Sequence, residues 1–180
     1  QDARIAASRE VATLRMKQKN DALDKTLTQM AANKLLDHED RQAVVAIQTR
    51  AVELKERAEQ ADLALKGATT EEAQARAQNY ANQIGVEYAK LEVETNKLNA
   101  TVQSHQETLR NQIEITIINL HKSPIGGVDP NLFRPEYQQH LRSIVENRLT
   151  GQPLPPEYLT IPGISTLWDY IPTVAGGTGR

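Results

Sequence analysis

The sequence predicts an all-α protein: a long antiparallel helical hairpin of coiled-coil character, then a short helix and an extended Pro-rich tail. Three observations carry this prediction. First, the 180-residue chain joins two compositions, with all eight Pro and seven of the nine Gly beyond Lys122 and 20 of the 21 Ala before it. A stretch of that length without Pro, rich in Ala, Glu, Gln, Lys, Arg and Leu, omits the residue that breaks helices and uses those that lose least side-chain freedom in them. Second, two runs of residues step by three and four. Val44, Ile47, Ala51, Leu54, Ala58, Ala61 and Leu65 form one seam, and Ala77, Ala81, Ile84, Tyr88, Leu91, Thr95, Leu98, Val102, His105 and Leu109 form the other. Third, five of the seven aromatics (Phe133, Tyr137, Tyr158, Trp168, Tyr170) lie among the late prolines Pro153, Pro155, Pro156, Pro162 and Pro172. That mixture suits turns and extended backbone rather than long helix.

The hairpin occupies residues 1–122, with its turn near 66–70. Its first arm opens with Met16, Leu23, Leu27 and Met30. Asp37-His38-Glu39-Asp40 then sets four polar residues where the seam should pass, so a register shift or bend is expected there. The turn is Gly67-Ala68-Thr69-Thr70-Glu71-Glu72, in which Gly67 suits a left-handed helix end and Thr69 with Glu72 has capping-box spacing. Fully helical arms would measure roughly 90 and 80 Å at 1.5 Å per residue. The many Ala on the seams bury too little surface for two helices alone, so the missing surface is expected from further copies of the chain. Ile113, Ile115, Ile117 and Ile118 suit either a short β-strand or continued helix, and helix to about Leu120 is favoured.

Residues 123–134 read as a turn-rich linker, and 135–150 as a short amphipathic helix opened by Pro135 and closed by Gly151. In the tail, 151–180, only Glu157, Asp169 and Arg180 are charged beyond Gln152, yet large apolar groups recur. Leu154, Tyr158, Ile161, Ile164, Trp168 and Tyr170 are therefore expected to dock as a strap on this protomer or a neighbour. A polyproline ligand for a foreign domain is the weaker alternative, since Pro155-Pro156 has no PxxP repeat.

The chemistry classes narrow quickly. Twenty-one Lys and Arg against 23 Asp and Glu give a net charge of −2, so nothing draws the whole chain to nucleic acid or acidic lipid. Zero Cys excludes disulfides, thiolate metal sites and Cys nucleophiles together. No run of about 18 apolar residues predicts a membrane-spanning helix. The chain opens on Gln1 rather than Met, as a processed or trimmed form would. His38, His105, His121 and His140 have no metal or triad spacing. Asp37-His38-Glu39-Asp40 reads as a solvated face rather than a cation site, so no metal is assigned. His105 on the second seam reads as a buried interhelical His, with register setting or pH sensing as the sharper possibility. No GxGxxG, Walker loop, HExxH or GxSxG occurs, so no catalytic residue, cofactor or enzyme activity is expected. Arg4, Arg9, Arg15, Lys17 and Lys19 make the first 20 residues locally basic, which suits an ordinary solvated helix face better than lipid or DNA contact.

The Ala- and Gln-rich helical half, the turn Ala64-Leu65-Lys66-Gly67-Ala68-Thr69-Thr70-Glu71-Glu72 and the small-residue ending Gly-Gly-Thr-Gly-Arg resemble the small internal virion protein of T7-like podoviruses. The likeness covers about the first 125 residues. It implies a viral structural protein of the bacteriophage virion interior, a homo-oligomer beside the portal with larger core proteins. Such a protein is ejected at infection to help form a DNA channel across the host envelope, with transient membrane contact and DNA only as passing cargo. Two other readings stay open: a coiled-coil adaptor or scaffold that never meets a membrane, and an accessory subunit of an enzyme.

Overall fold

The computed structural model describes residues 2–123 and 125–173, with side chains at Arg4 and from Leu14 onward. The protein is all-α, 81% helical, and no strand occurs among the described residues. Among the described residues five α-helices follow in order: α1 Asp2–Ala31, α2 His38–Gly67, α3 Glu71–Lys122, α4 Gln138–Leu149 and α5 Ile164–Tyr170. Ile113 to Ile118 lie inside α3, so the β-branched cluster is helical. The chain forms two compact units, Gln1–Val102 and Gln103–Arg180.

The first unit contains the predicted hairpin with a third helix added to it. Arg50 pairs with Glu94 and Arg57 with Glu87, so advancing seven residues along α2 retreats seven along α3. The two helices are therefore antiparallel. Tyr88, level with these pairs, also donates to Asn20 Oδ1 of α1 at 3.5 Å. Arg57 lies 26 residues beyond the end of α1, so α1 reaches this level only by folding back along α2 and α3. The expected bend at 37–40 is thus a full chain reversal, and the first arm is two helices rather than one.

The polar cluster that suggested a bend is a helix start. Asp37 is the N-cap of α2, its carboxylate accepting from the Asp40 amide at 2.7 Å, and Glu39 and Asp40 sit in the first turn where carboxylates favour the helix dipole. The α2–α3 turn lies where predicted but is built differently. Gly67 is the last helical residue and lacks a positive φ, and α2 ends on extended Ala68. Thr70 rather than Thr69 caps α3, its hydroxyl accepting from Ala73 N at 3.1 Å. The shift arises because the capping oxygen must lie three residues before an unsatisfied amide, and that amide belongs to Ala73.

One apolar core runs through this unit, from Met16, Leu23, Leu27 and Met30 of α1, through Val44 to Leu65 of α2, to Ala77 to Val102 of α3. The surface that Ala-rich seams leave uncovered is supplied by α1, where further copies of the chain were expected. Ala61 and Ile84 are fully buried as a result. Small residues let three helices approach closely, and a third helix removes more apolar area from water than a pair can.

The second unit is held by large residues in irregular order. Ile113, Ile117 and Leu120 at the end of α3 pack with Leu132, Leu141, Ile144, Val145 and Leu149, and with Tyr158, Ile164, Leu167 and Ile171 of the tail. Short 3₁₀ turns at Pro130–Phe133, Pro135–Tyr137 and Pro156–Tyr158 place proline where its missing N–H costs nothing. Gly151 at φ 75° closes α4 in a Schellman motif, with Gln152 N on Asn147 O at 2.8 Å and Gly151 N on Arg148 O at 3.2 Å. The tail is therefore less extended than its proline content suggests, since α5 forms within it.

Candidate functional site

The residues singled out from the sequence fall into two clusters, one in each unit. Val44, Ile47, Leu54, Leu65, Ile84, Tyr88, Leu91 and Val102 are buried together in the first core, and Leu98 packs on its edge. These seams are used within one chain, as hairpin seams. His105 departs from expectation. It is exposed and lies one turn past Val102, the last α3 residue of the first core. Leu109 is half-buried against the second core instead.

Of the polar groups inside the first core, sequence spacing singled out Thr95 on the second seam but not Asn20. Asn20 of α1 and Thr95 of α3 are buried at 7% and 1% exposure, and both are satisfied: Asn20 accepts from Tyr88, and Thr95 Oγ1 donates to Leu91 O at 2.7 Å. Burial, reinforced by the charges of Asp24 and Glu59, pushes the Tyr88 hydroxyl up to about 12. It therefore stays a neutral donor. Two shallow concavities flank this core. One, about 280 Å³, lies between α1 and α3 and is lined by Arg15, Lys19, Tyr88, Glu92, Thr95 and Asn96 among others. The other, about 460 Å³, sits at the α2–α3 turn among Ala64, Gly67, Ala68, Ala73, Arg76, Ala77 and Tyr80. The first is lined mainly by polar and charged side chains, the second mainly by Ala and Gly.

The tail residues dock on their own unit. Tyr158 and Ile164 are buried, Leu154, Ile161 and Trp168 pack at the edge of the second core, and Tyr170 is exposed. Residues 174–180, including the Gly-Gly-Thr-Gly-Arg ending, lie outside the described residues, as do most side chains of the basic N-terminal stretch. Three attachments hold the tail. The His140 Nδ1 meets the Tyr158 hydroxyl at 2.9 Å. Arg148 Nε donates to Ile171 O at 2.9 Å while its guanidinium lies 5.4 Å from the Trp168 ring centre. Gly163, at φ 78°, backs onto Gly127 so closely that a Cβ would fall 2.1 Å from Gly127 O, and Asp129 N donates to Pro162 O at 3.0 Å beside it. Gly127, inside the stretch read from the sequence as a turn-rich linker, is thus also a seat for the tail.

Compared with known proteins, the chain matches no family model, no curated protein and no solved structure.

Proposed function

We propose that the protein is a structural, self-associating helical component of a virion core. It assembles beside the portal with larger core proteins and is ejected to help line a DNA-translocation channel through the host outer membrane. The observation that carries this reading is α3, a single uninterrupted helix of 52 residues that serves both cores. At 1.5 Å per residue it measures roughly 78 Å, a length suited to a strut or conduit wall. The near-neutral net charge agrees with a wall that does not grip passing DNA. The likeness of the helical half to the internal core proteins supplies the biological setting. Among the described residues no helix is long and apolar enough to cross a membrane.

A second reading, a scaffold or adaptor without membrane contact, draws on the intrachain use of both seams. One experiment separates the two. The 180-residue chain is sized by light scattering and then mixed with dye-loaded phosphatidylethanolamine–phosphatidylglycerol vesicles. A defined oligomer that releases dye supports the channel reading, and an oligomer inert toward vesicles supports the scaffold. A monomer that ignores vesicles refutes both. Removing residues 151–180 is not a neutral control, because Tyr158, Ile164, Leu167 and Ile171 are part of the second core.

A further inference from the structure

The inward seams are occupied, so self-association needs another face, and the outside of α3 offers one. Residues 79, 86, 93 and 100 repeat every seven positions, and 82, 89 and 96 lie between them at three and four. The series reads Asn79, Val86, Val93 and Ala100, interleaved with Asn, Ala and Asn. Every one of these residues is exposed and uncharged. At about 100° per residue, Val86 and Val93 project opposite the buried Ile84, Tyr88 and Leu91. They leave 55% and 52% of their surface in water. A solvated face normally carries charge, so a second uncharged heptad stripe behind a completed core is a feature without a use in the single chain.

We infer that this outer stripe of α3 is the contact between two copies of the chain, packed with their α3 helices parallel. The inference rests on the self-associating reading above and names its interface. Three features select this occupant. The repeat puts β-branched Val at two positions of the inner column, which suits a two-stranded pair, while Asn79, Asn82 and Asn96 in place of leucines weaken the contact and favour the one register in which they meet polar partners. The Ala89 position between the valines lets the backbones approach closely. Charge fixes the direction: Lys90 and Lys97 flank the stripe on one side and Glu92 on the other, where Glu92 and Asn96 also line the α1–α3 concavity with Arg15 and Lys19, and all three charged residues are exposed. In a parallel pair, Glu92 of each copy meets Lys97 of the other, five residues on, giving two symmetric opposite-charge contacts. In an antiparallel pair the lysine flanks would face one another and repel.

The test is the concentration-dependent mass of the full chain by analytical ultracentrifugation. A dimer is expected, and Val86→Lys with Val93→Lys should raise its dissociation constant about a hundredfold while helical content stays unchanged, since both side chains already face water. Lys97→Glu should raise it about tenfold, and the E92K/K97E pair should bring it back to within about threefold of the original. Rescue by the charge swap is a result that misfolding cannot mimic. An oligomer insensitive to the valine substitutions, or charge reversals without rescue, overturns this interface while leaving self-assembly standing. A chain that stays monomeric at every concentration overturns both.

Discussion

The two units reach buried cores by opposite means. The first is regular: three helices, seam positions three and four apart, and Ala at many of them, so that register and close approach hold it together. The second is irregular, with prolines, left-handed glycines and large side chains brought from scattered positions onto the end of α3 and α4. Periodic sequence tolerates local change because every turn repeats the same contact. An aperiodic core depends on a few seats that have no substitute.

That contrast breaks most sharply at Gly163. A Cβ there meets the Gly127 carbonyl at 2.1 Å, and φ 78° is unfavourable for any L side chain. Gly163→Ala should destabilise the second unit by about 3 kcal/mol or more. Trp168, the single Trp, lies in that unit, so chemical unfolding followed by its fluorescence should report the loss while the helical signal of the first unit persists. The mirror experiment is Ile84→Ala, which empties a fully buried site in the first unit. A cost of about 2–5 kcal/mol is expected in the helical transition, with the Trp168 transition unmoved. If either substitution shifts both transitions equally, the units are one cooperative block and the comparison fails.

Smaller effects sharpen it. Asp37→Ala and Thr70→Ala each remove a cap in the first unit and should cost about 1 kcal/mol, whereas Thr69→Ala should cost close to nothing, measured by thermal unfolding. The last effect is absent at neutral pH and confined to alkaline pH. Tyr88 holds its proton more tightly folded, near 12, than unfolded, near 10. Its contribution is therefore fully present below about pH 10 and disappears as pH rises toward 12. Tyr88→Phe should flatten the stability profile in that window alone.

Much of the first unit was legible in the sequence. Helix type, the α2–α3 turn and the buried faces from Val44 to Leu65 and from Ala77 to Val102 all follow from composition and spacing. His105 shows the limit: the three–four rhythm continues through it, but a rhythm cannot say where the facing helices end. Asp37 shows another, since a polar cluster inside a seam reads equally as a defect or as a cap. In the second unit, Leu154 to Trp168 were legible as residues that avoid water, while Arg148, His140 and the Gly127–Gly163 contact were not. Each of these acts across a gap in the chain, and no local signal marks the pairing.

The sequence by itself determined that the first 122 residues are largely helical and which sides of α2 and α3 leave water, because both depend on residues within a few turns of one another. Only the tertiary structure decided what covers those sides. It folded α1 back to complete a core that was expected to need other copies, and it seated the tail on its own α4. An apolar stripe specifies how much surface must be buried and in what rhythm, but many partners satisfy that demand. The choice among them is made by chain connectivity, by caps such as Asp37 and by close contacts such as Gly163 on Gly127.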